Sequence, residues 1–306
     1  MDNYTVPEEF KLRIISTWGE AGVEWLDRLP TIITTCARRW RLSVQSPLSD
    51  LSYNFVAYVM TDNGTQAILK IGVPNPELAT EIEAVRMYQG RYAVKLLEAD
   101  LNLGALVIQR LVPGIPLSAL KDDEQATSIA AQLMRDLPIP EPLHHQFPTI
   151  ERWALAFDRY RKRFDESNGP LPKKIVKKAE GLFEDLHTSS PEGMLLHGDL
   201  HHDNILSNAE NNWLVIDPKG VIGDPAYEAA RFQHNPIPRF LSLENPQAVA
   251  ERRSEILTSI LDVDRARLLA WGFFDVVLGA LWCIEENSDD WRYLLSCAQI
   301  LDTLTD

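Results

Sequence analysis

The chain has 306 residues, 45% of them hydrophobic, a size that supports two lobes with substantial cores and a composition that excludes a largely disordered polymer. Its formal net charge of −14 opposes nonspecific binding to nucleic acid or to an anionic membrane, and leaves a cationic partner or plain solubility as its meaning. Cys36, Cys283 and Cys297 have no metal spacing and fit a reduced, cytoplasmic protein, while the opening MDNYTVPEEF is polar and acidic where an export signal would be basic and then apolar.

In chain order, the first predicted elements are helices over residues 7–17, behind a start at Thr5 and Val6, and over 21–40, the second broken at Pro30. From Leu42 the pattern changes to period two. Strands are predicted at 55–60 and 66–71, joined by TDNGT, whose Asn63-Gly64 pair is a strong hairpin signal. The segment before them, 48–54, lacks the G-x-G-x-x-G that lets backbone approach phosphates. Ser52 and Asn54 there either donate to phosphate oxygens or serve as ordinary turn residues. Lys70, in the sequence AILK, is a charge among apolar neighbours on a strand. Such a lysine is costly unless paired, and it is suited to holding nucleotide phosphates. The next helix, over 75–89, offers Glu77, Glu81 and Glu83 as partners. Two further strands, 94–99 and 105–111, complete a small sheet, and the Pro-Gly pair at 113–114 marks a connector. The expected division is a lobe over 1–108, a hinge over 109–114 and a second lobe over 115–306.

Beyond the hinge, helices are predicted over 122–137, 149–165, 173–188, 246–261, 264–285 and 288–304, with a Pro-rich connector at 138–148. The apolar stretch 268–284 is shorter than the ~20 residues of a spanning helix and carries Asp275 in its middle, so it reads as a buried helix of the second lobe. Two short apolar runs, 194–196 and 213–216, read as buried strands around a polar cluster that no core requires. In it His197, Asp199 and Asn204 follow the order H-x-D-x-x-x-x-N, and Asp217 closes the second run. An acid at 199 can take a hydroxyl proton, while the amide and second carboxylate can hold Mg²⁺ on nucleotide phosphates. The competing reading makes His201, His202 and Asp203 a solvated loop or a transition-metal site, although no H-x-x-x-H or C-x-x-C spacing accompanies them. After Asp217, PKGVIGDPAYEAARF is a Gly-punctuated loop leading into a short helix from near Ala226.

The sequences HGDLHHDNIL and WLVIDPKGVIGDPAYEAA resemble the aminoglycoside phosphotransferases, most closely the group that includes streptomycin 6-phosphotransferases and hydroxyurea kinases, with motif matches over residues 56–232. The resemblance implies an α+β, bilobal protein-kinase-like fold with a small antiparallel-sheet N-lobe and a mainly helical C-lobe. It implies ATP or GTP and Mg²⁺ as cofactors, with Asp199 as the catalytic acid–base residue and Asn204 and Asp217 as metal ligands. It further implies that Glu81, with Glu83 in reserve, orients Lys70 on the α and β phosphates. The backbone of Gln109 and Leu111 would meet the adenine edge, Ile68 and Ile216 its faces, and His197 would brace the loop.

The implied activity is an ATP-dependent O-phosphotransferase acting on a small molecule. In the resembled family the acceptor lies between the catalytic loop and the C-terminal helices, where this chain places Trp282, Glu285, Glu286, Asp289 and Asp290. Carboxylates bind guanidinium or ammonium groups by charge-assisted hydrogen bonds, and an indole adds a cation–π contact. A cationic acceptor such as streptomycin is therefore expected, with Asp275, Trp282 and Glu285 as its contacts. The alternative is that Glu286, Asp289 and Asp290 solvate a turn while Trp282 packs in the core. Competing functions are a kinase for hydroxyurea or another small metabolite, and a catalytically idle nucleotide-binding protein. The complete set Lys70, Glu81, Asp199, Asn204 and Asp217 argues against idleness, and the missing glycine triplet and A-P-E segment argue against a protein kinase.

Overall fold

A computed structural model describes residues 6–49, 51–164, 169–210 and 212–305. The expected helix start at Thr5 and helix end at Asp165 lie outside the described residues. The chain divides into two compact units, 1–114 and 115–306.

The N-terminal unit opens with two helices, α1 (Glu8–Trp18) and α2 (Glu20–Arg39). Pro30 does not break α2: its ring is exposed, and the stripe Trp25, Leu29, Ile32, Ile33 and Cys36 buries the opposite face, which outweighs the local cost of the missing N–H. Next come β1 (Leu42–Pro47), β2 (Asn54–Thr61), β3 (Gln66–Gly72), α3 (Pro76–Tyr88), β4 (Leu96–Asp100) and β5 (Ala105–Gln109). The strands form one antiparallel sheet in the order β1-β2-β3-β5-β4. Phe55, Ala57 and Val59 alternate on β2 and share a core with Phe10, Ile14, Trp25 and Ile33 of the two helices. α3 starts at Asn75, whose Oδ1 accepts from the Glu77 and Leu78 N–H groups, with Pro76 in the first helical position.

The C-terminal unit is mainly helical: α4 (Asp123–Asp136), α5 (Ile150–Phe164), α6 (Lys173–Thr188), α7 (Pro246–Leu261), α8 (Arg265–Glu285) and α9 (Trp291–Asp302). Short strands β6 (Ile139–Pro140), β7 (Met194–Leu196) and β10 (Val221–Gly223) make a three-stranded sheet, and β8 (Ile205–Ser207) pairs with β9 (Trp213–Val215). α8 is the central post, packed by α5, α6, α7 and α9. It is the one helix among the described residues long and apolar enough to cross a membrane, and 83% of that apolar window is buried inside the protein. The helix expected from Ala226 is two 3₁₀ turns, Pro225–Ala229 and Arg231–His234. Tyr227, Ala230 and Gln233 each donate to the carbonyl three residues back, and Asn235-Pro236 ends the run before a longer helix can propagate.

Candidate active site

In the N-terminal unit, the candidate residues sit on the central strands of the sheet and the helix that follows. Lys70 lies on β3, opposite Val56 of β2 and Leu106 of β5, and only 7% of its side chain is exposed. Its Nζ donates to Glu81 Oε1 of α3 at 2.7 Å. Burial of an ammonium at this position is tolerable because the carboxylate is brought to it. Glu83 instead pairs with Arg86 one turn on. Ser52 is exposed, and Asn54 opens β2 with its amide over Gly72, where a Cβ would fall 2.1 Å from Asn54 Oδ1. Gln109 ends β5, its N–H donating to the Lys95 carbonyl at 2.9 Å, and Leu111 is buried just beyond it.

In the C-terminal unit, β7 delivers the chain to His197, and the β8–β9 ribbon sets the remaining groups. Ile205 pairs with Val215, so Asn204 and Ile216 fall opposite each other, and the Ile216 N–H donates to the Asn204 carbonyl at 2.9 Å. Asp217 is then the next residue, in the left-handed region at φ +56°, which Asp tolerates better than most residues. Asn204 Nδ2 donates to the Asp199 carbonyl at 2.9 Å. The motif residues Asp199, Asn204 and Asp217 are thereby gathered at one end of one ribbon.

His197 ties the two loops together. Its Nδ1 accepts from the Asp199 N–H at 3.2 Å, so Nε2 carries the proton and donates to the Ile216 carbonyl at 2.8 Å. Complete burial pushes this imidazole down to about 4, which makes it a neutral brace. From below, the carboxylate of Glu228 accepts from the N–H groups of His197 (2.7 Å) and Gly198 (3.2 Å). Burial raises Glu228 to about 7, against the pull of those two donors.

Arg231 follows on the next 3₁₀ turn. Its Nε lies 3.4 Å from Asp199 Oδ1 and its Nη2 lies 3.3 Å from Asp275 Oδ1. Asp275, in the middle of α8, is fully buried; it accepts from the Tyr227 hydroxyl at 2.7 Å and faces His234 at 3.8 Å. The partner that a charge in so apolar a helix demands is thus supplied from inside the protein. Trp282 is partly exposed and meets Trp153 edge to face at 5.5 Å, and Trp153 also touches the catalytic loop at Gly198. Glu285 receives Arg159 through both oxygens, at 2.8 and 3.1 Å. Asp289 is within ion-pair distance of Arg292, and Glu286 and Asp289 are exposed.

Glu228, Arg231 and Trp153 were not singled out by sequence reasoning. The first two are charged residues in an alanine-rich run, DPAYEAAR, which is the only local signal they give. Trp153 reads as one more apolar position of its helix.

The donor set suits magnesium. Asn204 spends its amide nitrogen on Asp199, leaving the carbonyl oxygen as its free donor, and Asp217 offers a carboxylate. Two hard oxygen ligands are what Mg²⁺ takes from a protein when it keeps waters and substrate phosphates for the rest. His201 accepts from the Asp203 N–H, His202 is buried against Phe232 at 3.9 Å, and among the described residues no group of three His, Cys, Asp or Glu side chains converges as a metal site.

Residues 39–287 match the family described as aminoglycoside/hydroxyurea antibiotic resistance kinase. The chain is 26% identical to streptomycin 6-kinase of Streptomyces glaucescens over 286 residues, covering 92% of both chains. It is 30% identical to hydroxyurea phosphotransferase of Kitasatospora aureofaciens over 274 residues, covering 88% of this chain and 77% of that one. Among solved structures, choline kinase from Streptococcus pneumoniae superposes with a TM-score of 0.63 at 16% identity, covering 90% of this chain and 99% of that one. An aminoglycoside phosphotransferase in ternary complex with ADP and hygromycin B gives 0.61 at 16% identity, covering 88% and 97%. Both likenesses show the kinase-like fold.

Proposed function

The chain belongs to the aminoglycoside/hydroxyurea antibiotic resistance kinase family, and from that premise we propose that it transfers the γ-phosphoryl group of ATP to a hydroxyl of a cationic aminoglycoside such as streptomycin. The observation that carries the reading is the gathering of Asp199, Asn204 and Asp217 at one end of the β8–β9 ribbon, braced by His197 and Glu228. Asp199, with 25% of its side chain exposed, orients the acceptor hydroxyl and takes its proton as the oxygen attacks the γ-phosphorus in line. Mg²⁺ held by Asn204 and Asp217 would neutralise charge on the transferring phosphoryl group. Lys70, fixed by Glu81, binds the α and β phosphates. To Ser52 and Asn54, before and at the start of β2, we assign contacts with phosphate oxygens, and to the backbone of Gln109 and Leu111 the adenine edge.

On the acceptor side, Trp282 and Trp153 form an aromatic wall next to the catalytic loop, which supports binding of a cation, and Glu285 would serve it only by giving up the Arg159 guanidinium that both its oxygens now hold. Asp275 acts behind this surface through Arg231. The formal charge of −14 favours a cationic acceptor at longer range. The cysteines, each a free thiol, accord with the cytoplasmic location we propose. Hydroxyurea is the second reading, favoured by the 30% identity to a hydroxyurea phosphotransferase.

A panel of streptomycin, other aminoglycosides, hydroxyurea and amino alcohols, assayed for acceptor-dependent ADP release, tests the proposal. Turnover is expected with a cationic aminoglycoside and not with hydroxyurea; activity confined to neutral compounds would replace the first reading by the second. Asp199→Ala is expected to lose at least ~10³-fold in kcat while nucleotide affinity stays nearly unchanged. Substantial phosphorylation by that variant would remove Asp199 from the mechanism.

A further inference from the structure

Arg231 is a cation that the structure places against the side chain of Asp199, and it does so while held between two carboxylates. Nε lies 3.4 Å from Asp199 Oδ1 and Nη2 lies 3.3 Å from Asp275 Oδ1. The three side chains differ sharply in access to water: Asp275 is 1% exposed, Arg231 16% and Asp199 25%. Asp275 therefore sits at the bottom of the row, gripped also by the Tyr227 hydroxyl at 2.7 Å, and Asp199 at the top. A buried carboxylate in the middle of an apolar helix is costly, and it is retained where it holds something in place. What it holds is the guanidinium.

The geometry of the supporting turns points the same way. Glu228 and Arg231 lie on consecutive 3₁₀ turns, Pro225–Ala229 and Arg231–His234. Glu228 fixes the backbone of His197 and Gly198, immediately before Asp199, and Arg231 meets the Asp199 carboxylate itself. One short segment thus braces the loop through its main chain and its reactive side chain together. Arg231 Nε is buried and makes no aligned hydrogen bond, so its contact with Asp199 is one of charge at a distance that can still shorten. Long contacts of this kind in unliganded sites commonly tighten when substrate binds.

We propose that Arg231 is the positioning residue of the phosphoryl-transfer site: anchored by Asp275, it engages Oδ1 of Asp199 and leaves Oδ2 as the oxygen that meets the acceptor hydroxyl. The inference rests on Asp199 being the acid–base residue. Arg231 touches neither acceptor nor nucleotide in this role. Its loss lets the Asp199 carboxylate rotate away from the attacking hydroxyl, so the effect falls on kcat and not on KM.

The test compares Arg231→Lys, Arg231→Gln and the paired variant Arg231→Gln/Asp275→Asn with Asp199→Ala, each checked for cooperative unfolding and nucleotide binding. The paired variant removes both charges at once, so Asp275 is not left as an uncompensated buried carboxylate if Arg231→Gln alone does not fold. With the aminoglycoside turned over fastest, the folded glutamine variants are expected to lose about 10²-fold in kcat, with acceptor and nucleotide KM within about 3-fold of the parent. Arg231→Lys, which keeps the charge but not the reach of the guanidinium fork, is expected to recover part of the loss. A folded paired variant with kcat within about 3-fold of the parent would overturn the proposal, as would a loss confined to acceptor KM. Undiminished turnover by Asp199→Ala would instead take away the acid–base reading on which the proposal stands, and the two failures are told apart by which variant keeps its activity.

Discussion

Gly198 holds φ at +77° between His197 and Asp199, and a Cβ placed on it would lie 2.7 Å from Val221 Cγ1 and 2.9 Å from Trp153 Cη2. Gly198→Ala should therefore combine a left-handed penalty with overpacking, together about 2 to 4 kcal/mol of stability. Urea unfolding measures this, and turnover should fall further than the remaining folded fraction, because relief of the clash moves Asp199. A variant of parental stability and activity would show that the loop has slack the packing denies. At this scale the sequence is most legible where function is local: Asp199, Asn204 and Asp217 stand within one motif whose spacing the β8–β9 register explains. It is least legible where a role depends on a partner far along the chain. Glu228 meets amides 30 and 31 residues earlier, and Arg231 meets a carboxylate on a helix that begins at Arg265, so neither leaves a periodic trace.

Helix α2 shows the same division between elements. Its apolar stripe is readable, but whether Pro30 stops it depends on which face the ring takes. The ring is exposed while Leu29, Ile32 and Ile33 are buried, so the α2 packing carries the helix through a residue that disfavours it. Pro30→Ala should restore a helical N–H at no loss of buried area. It is expected to stabilise the protein by about 1 to 3 kcal/mol, less about 0.4 to 1 for a freer unfolded chain. A rise in Tm checks this; a fall would mean that the proline fixes a bend the sheet requires. Helix α8 was readable in both extent and burial, since its apolar length is continuous and Asp275 argues against lipid. The 3₁₀ turns after Asp224 were not. Their composition is that of a helix, and what shortens them is the Pro236 boundary together with the need to aim Glu228 and Arg231 inward.

Across the whole molecule, the buried histidines of the C-terminal unit set how stability depends on pH. Burial lowers His197 to about 4 and His202 to about 2, and drives His234 well below its ordinary value, with Arg231 nearby adding to the effect on His234. In the window between each folded value and the ordinary 6.5, the unfolded chain binds more protons than the native protein. Stability from these groups is accordingly complete above pH 6.5 and is lost as pH falls through the window. Glu228 and Asp275, raised by burial, act in the opposite sense: their contribution is present at low pH and lost as pH rises, through about 7 for Glu228. The opposing terms make the total profile a poor test of any single group, whereas a difference between variants isolates one. His234 is the suitable position, because neither ring nitrogen has a hydrogen-bond partner and its ion-pair distance to Asp275 is 3.8 Å, so little is lost by removing a group that cannot be charged in place. His234→Gln should differ from the parent by a constant amount above pH 7. Below pH 6.5 it should gain on the parent by up to about 1.4 kcal/mol for each pH unit, read from urea midpoints between pH 7.5 and 5. A difference that stays constant across that range would mean that His234 takes up a proton in the native protein, with Asp275 as the carboxylate that pairs with it.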